Sequence, residues 1–147
     1  MLELGQDAPD FTLPRDGGED VTLSALRPSK VVLYFYPKDD TYGCTKEACA
    51  FRDAYQDFTD VGAEVVGISS DTAASHEHFA QKNRLPFVLL ADTEGTARKA
   101  FKVPNTLFFI QGRATFVINP EGKVAHAFNS QLNFSKHVDE ALRIIRQ

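Results

Sequence analysis

The run "KVVLYFYP", residues 30–37, most narrows the folds open to this chain. β-Branched and aromatic residues follow one another without polar alternation until a proline stops them. A strand with one wet face alternates apolar and polar side chains, so this one must be covered on both faces. The stretches "AEVVGIS" (63–69) and "PFVLLAD" (86–92) read the same way. Between them lie helical segments: residues 42–60 as one helix, "DTAASHEHFAQKN" (71–83) with cap-like Asp71 and Thr72, and a short "EGTARKAF" (94–101). "FTLPRDGGEDVTL" (11–23) predicts a hairpin about its Asp-Gly-Gly turn. "RATFVINPEGKVAHAF" (113–128) predicts two more strands about an Asn-Pro-Glu-Gly turn. The last segment sets Phe134, Val138, Ala141, Leu142 and Ile145 on one helical face. Strands alternating with helices predict an α/β fold: a mixed central sheet flanked by helices, with an N-terminal β-hairpin. The 147 residues suit a single domain spanning 1–147.

Composition removes several function classes. The net charge of −4 offers no electrostatic case for nucleic acid. The apolar run Val31 to Tyr36 is too short to span a bilayer, and "MLELGQDAPDF" lacks the basic and apolar regions of a secretory signal. These features predict a cytoplasmic protein with no membrane partner. Two cysteines are too few for a disulfide scaffold, and in a reducing compartment a close pair reads as redox-active or metal-binding.

Those two cysteines are Cys44 and Cys49, just beyond the first buried strand. Cys44, Ala48, Phe51, Tyr55 and Phe58 are spaced as the buried stripe of a helix, so Cys44 falls in its first turn, with Thr41 as the expected N-cap. Unpaired N–H groups and the positive end of the helix dipole favour a thiolate there. Position alone leaves two readings open, a nucleophile or a small inert core residue. Cys49 adds a mechanical constraint. On an ideal helix its Cα stands roughly 8.6 Å from that of Cys44, whereas a disulfide needs roughly 4.4–6.8 Å. The pair can bond only if the first turns of the helix unwind. That suits a cysteine oxidised first and resolved afterwards.

"YFYPKDDTYGCTKEACAFRD" resembles the active-site segment of the atypical two-cysteine peroxiredoxins called peroxiredoxin Q or bacterioferritin comigratory protein. That family's motif places a proline, then a threonine four residues on, then the peroxidatic cysteine three further; here these are Pro37, Thr41 and Cys44. Its resolving cysteine lies five residues later, at Cys49, and an Arg-x-Thr-Phe pattern supplies a distant arginine, Arg113. The resemblance extends over nearly the whole chain. It implies a thioredoxin-like fold and a thiol peroxidase without metal, flavin or haem. In that scheme Cys44 attacks the peroxide and becomes a sulfenic acid. Thr41, Arg113 and the Cys44 backbone N–H hold the peroxide oxygens, Pro37 shields the site, and Cys49 closes an internal disulfide. A thioredoxin- or glutaredoxin-type reductant would reopen it, and the chain is expected as a monomer or weak dimer.

Taken singly, Pro37 reads equally as a strand end, Thr41 as a cap and Arg113 as a surface ion-pairing residue; their joint order and spacing favours the peroxidase. Two rivals remain: a disulfide oxidoreductase, disfavoured by the missing Cys-x-x-Cys spacing, and a redox-sensing or chaperone-like binding protein. The chain departs from the family at Tyr42, where a proline is usual, and in "VPNTLFFIQG" (103–112), which replaces a longer glycine-rich loop. Tyr42 is expected to ease unwinding and to narrow or reshape the pocket mouth. Among the histidines, His76 and His78 fall on different helical faces, His126 reads as inward-facing, and His137 has no evident partner.

Overall fold

The computed structural model describes residues 1–105 and 111–147. Its main sheet has the strand order β5-β4-β3-β6-β7. The unbroken apolar run from Lys30 supplies the central strand, β3 (Lys30–Phe35). It pairs in parallel with β4 (Ala63–Ser69), which pairs in parallel with β5 (Val88–Ala91). On its other side it runs antiparallel to β6 (Ala114–Ile118), itself antiparallel to β7 (Val124–Asn129). The expected hairpin at the N-terminus is present as β1 (Thr12–Leu13) and β2 (Val21–Thr22).

The absence of alternation in β3 is explained by its two covers. Val31, Leu33 and Phe35 face one core, completed by Phe101, Phe116 and the N-terminal Leu2 and Ala8. Val32, Tyr34 and Tyr36 face the other, which holds Phe51, Phe58, Phe79, Val138, Ala141 and Ile145. The second core is roofed by α1 (Tyr42–Asp53), α2 (Tyr55–Asp60), α3 (Ala73–Asn83) and α5 (Phe134–Ile145), and α4 (Thr96–Ala100) lies against the first. Phe51 stacks on Tyr34 with ring centroids 4.5 Å apart, which fastens the last turn of α1 to β3.

Residues 42–60 are not one helix as expected. Ala54 leaves helical geometry at φ −95°, ψ 2°, and divides α1 from α2. Both Phe51 and Phe58 still reach the core, while Tyr55 is only half-buried. The cap on α3 is Thr72, whose side chain accepts from the Ser75 N–H; Asp71 bonds elsewhere. No helix among the described residues is long and apolar enough to cross a membrane.

Candidate active site

The site lies at the carboxyl end of β3, where the chain's connections diverge to either side of the sheet. Beyond β3, half-buried Pro37 turns the chain into a short loop that ends at α1. Asp39, nearly fully buried, holds that loop down. Its carboxylate accepts from the Tyr36 hydroxyl (2.6 Å) and the Ser75 hydroxyl (2.8 Å), and meets His76 Nδ1 at 2.7 Å. Its N–H donates to Asp71 (2.8 Å). Thr41 occupies the N-cap position with extended dihedrals, but it does not cap. Its hydroxyl donates instead to the Lys38 carbonyl at 2.8 Å, which leaves its lone pairs free to accept.

Cys44 is the third residue of α1 and 1% exposed. Two donors point at its sulfur: the Lys38 N–H at 3.5 Å and Arg113 Nη2 at 3.4 Å. Arg113 comes from the residue just before β6. The antiparallel register sets Ala114 opposite Phe35, so Arg113 reaches the same end of the sheet as the loop after β3. The guanidinium is fixed on all sides. Nε donates to the Gln131 carbonyl (3.1 Å), Nη1 donates to Glu47 Oε1 (2.7 Å), and the Phe134 ring lies under it with its centroid 4.9 Å away. Glycine at position 43 permits this packing. A Cβ there would sit 2.8 Å from Phe134 Cζ and 3.1 Å from Arg113 Nη2.

Behind Arg113 lies a polar interior that the sequence reading did not identify. Glu47 is fully buried, and burial pushes its carboxyl up to about 7 despite the Arg113 pairing. His137 on α5 lies 3.6 Å from Glu47 Oε2. Its ring bonds the Thr115 hydroxyl (2.8 Å) and the Ser130 carbonyl (2.7 Å), and burial lowers it to about 4. His137 therefore has partners after all. A signal was available for both residues: each is a charged or titratable side chain on the apolar stripe of its own helix. Arg98 was also missed. Buried on α4, it donates to the Tyr36 carbonyl (3.0 Å) and the Gly112 carbonyl (2.9 Å), and so ties the end of β3 to the residue before Arg113. His76, set aside because of its spacing from His78, is the buried partner of Asp39. His126 is half-buried, 3.3 Å from Glu140 Oε2.

Cys49 is half-buried, and both cysteines are free thiols. Its sulfur lies 4.0 Å from Asn83 Oδ1 at the end of α3. It lines a surface cleft of about 310 Å³ with Asp40, Thr41, Tyr42, Thr45 and Lys46. Helix α1 is continuous from Tyr42 to Asp53, so the two cysteines stand apart as the spacing required. Tyr42 is 76% exposed, with the Lys46 ammonium 5.5 Å from its ring centroid. It borders the cleft that Thr41 and Cys49 also line. Of the departing segment 103–112, residues 106–110 lie outside the described residues.

The five residues singled out by motif thus fall at one end of the sheet, with Cys44 and Arg113 in contact and Cys49 on the outer side of the same helix. A family model described as the AhpC/TSA family matches residues 4–127. Peroxiredoxin Q, chloroplastic, of Triticum aestivum is 50% identical over 146 residues, covering 99% of this chain and 67% of the relative. The Arabidopsis thaliana protein of the same name is 49% identical over 146 residues, covering 99% and 68%. Among solved structures, peroxidoxin BcpB from Mycobacterium tuberculosis superposes with a TM-score of 0.92 at 39% identity, covering 99% of this chain and 97% of that one. Peroxiredoxin Q of Xanthomonas campestris gives 0.88 at 33% identity, covering 99% and 95%. A buried thiol under an arginine on this fold, together with these relatives, leads to one conclusion: the chain belongs to the AhpC/TSA family and, within it, to the peroxiredoxin Q group of thiol-dependent peroxidases.

Proposed function

We propose that residues 1–147 act as a single peroxiredoxin domain in which Cys44 is the peroxidatic residue and Cys49 the resolving one. The observation that carries this reading is the Arg113 guanidinium 3.4 Å from a buried sulfur in the first turn of a helix. Arg113, the Lys38 N–H and the dipole of α1 all support negative charge on that sulfur. The thiolate attacks the nearer oxygen of hydrogen peroxide or an organic hydroperoxide. The S–O bond forms as the O–O bond breaks, and the departing hydroxide or alkoxide takes up a proton as water or alcohol. Arg113 stabilises the charge that builds on the oxygens. The Thr41 hydroxyl, its own proton committed to Lys38, accepts from the peroxide O–H. Pro37 closes the site from the β3 side.

The first turns of α1 then unwind. The Cys49 thiolate attacks the Cys44 sulfur, an internal disulfide forms, and hydroxide leaves as water. The cleft beside Cys49 gives a dithiol of the thioredoxin or glutaredoxin type access to that disulfide. A dithiol reductant belongs to a reducing setting such as the cytoplasm, and the roles assigned here need only one copy of the chain, as a monomer or weak dimer.

The test is peroxide consumption with a thioredoxin system in wild type, Cys44→Ser and Cys49→Ser. Cys44→Ser should lose all turnover. Cys49→Ser should consume about one equivalent of peroxide, stop as a trappable sulfenic acid, and show no bridge by mass spectrometry. Turnover retained in Cys44→Ser overturns the reading.

A further inference from the structure

Arg113 faces two groups that can both be anions, Cys44 and Glu47, and its single charge can neutralise only one of them. The two oxygens of Glu47 are unequal. Oε1 accepts from Arg113 Nη1, while Oε2 is buried with no hydrogen-bond partner among the described residues. What Oε2 faces is set by His137. Nε2 of that ring lies 2.7 Å from the Ser130 carbonyl, which can only accept, so the proton of the neutral ring is on Nε2. Burial keeps the ring neutral, so Nδ1 presents a lone pair, and the Thr115 hydroxyl donates to it. Oε2 therefore stands 3.6 Å from an acceptor nitrogen, whose lone pair the Thr115 hydroxyl already engages, and not from a donor. Among the described residues, the other titratable groups about Glu47 are the Tyr34 hydroxyl on β3, itself buried and without a hydrogen-bond partner among them, and Cys44 one turn earlier on α1. An ionised carboxylate would leave one oxygen uncompensated in this interior; a carboxylic acid has a proton to put there. Desolvation raising Glu47 to about 7 agrees with this.

We propose that Glu47 is a positioning residue that works as the neutral acid, with its proton on Oε2, so that the charge of Arg113 is left to the Cys44 sulfur and the peroxide. When Glu47 ionises it draws the guanidinium charge to itself and slows the peroxide step. The proposal rests on the peroxidase reading above.

Glu47→Gln keeps an acceptor toward Arg113 and cannot ionise. The experiment measures the rate of Cys44 oxidation by hydrogen peroxide in wild type and variant from about pH 5.5 to about pH 8.5. The ratio of variant to wild-type rate should rise by about 3–10-fold as pH passes about 7, because only the wild type gains the competing anion. A flat or falling ratio overturns the proposal. Should the variant fail to fold, reduced wild type carrying ¹³C-labelled glutamate is read by infrared spectroscopy. A protonated-carboxyl band that persists to about pH 6 and fades near pH 7 supports the proposal, and its absence at about pH 6 overturns it. Failure of the peroxidase reading looks different: peroxide oxidises Cys44 in neither protein, while the infrared band still reports on Glu47.

Discussion

Replacing Arg113 by methionine removes a cation and three donated contacts at once: to Cys44 Sγ, Glu47 Oε1 and the Gln131 carbonyl. Two losses follow, and they can be separated. The first is catalytic. Losing one preorganised donor to a developing oxyanion costs about 10²–10³ in rate, or about 3–4 kcal/mol, and Arg113 supplies the donor together with its charge. The peroxide step should fall by at least about 10². The second loss is structural. Severing a buried ion pair costs about 3–5 kcal/mol when a charge is stranded. Glu47 already sits near 7, so at about pH 6 it holds a proton and little charge is stranded; the cost then falls toward the about 1–3 kcal/mol of unmade hydrogen bonds. The destabilisation relative to wild type should therefore grow as pH rises above about 7. The chain has no tryptophan, so urea unfolding is followed by far-ultraviolet circular dichroism and the peroxide step by competition with a haem peroxidase. The double variant Arg113→Met/Glu47→Gln should regain stability above pH about 7 but not rate. A rate that recovers together with stability would refute the catalytic role, as would a single variant within about threefold of wild type.

Three further outcomes follow from the geometry. Gly43→Ala forces Phe134 and Arg113 to move and should slow peroxide attack by about tenfold, measured by the same competition; a change under about twofold refutes the close-approach argument. Tyr42→Pro suits the first helical position, and Thr41 before it is already extended, so α1 should resist unwinding: disulfide formation in stopped-flow traces should slow while sulfenic-acid formation holds, and equal disulfide rates remove the idea. Glu47, raised from 4.5 to about 7, contributes stability that is complete below about 4.5 and lost as pH rises through about 7, whereas His137, lowered from 6.5 to about 4, contributes stability present above about 6.5 and lost as pH falls toward about 4. Urea midpoints of Glu47→Gln should therefore drop in acid and those of His137→Asn should drop toward neutrality, with wild type flatter than either; parallel curves for all three would contradict the assignments.

How much of this was legible beforehand depended on whether a feature is local. The double cover of β3 was written in its unbroken apolar run, and the position of Cys44 in the 4-3-4-3 stripe that follows. Arg113 was legible only through a family pattern, because the register of β6 against β3 that brings it to Cys44 is a long-range fact. Glu47, His137, Asp39 and His76 were missed for the same reason: a buried polar residue is stable only with a partner, and each partner lies on another element. Thr41 shows the opposite error. Its residue type and position fitted a cap, but the loop offered the Lys38 carbonyl as a competing acceptor. The break at Ala54 had no breaker residue to announce it.

The clamp on Asp39 has a consequence for where motion can stop. Asp39 is tied to the first turn of α3 through Ser75 and His76, and Arg52 Nη1 donates to the Asn83 carbonyl at the last residue of the same helix (2.8 Å). Both cysteines lie between these two moorings, and Asp40, with φ of 61°, takes the first bend beyond the nearer one. Helix α3 would then work as a splint laid alongside the segment that the proposed mechanism unwinds. On the proposed mechanism the chain between its ends would lose its helical turns and regain them, while β3, Pro37 and the end of α1 from Arg52 onward keep their places for the next peroxide.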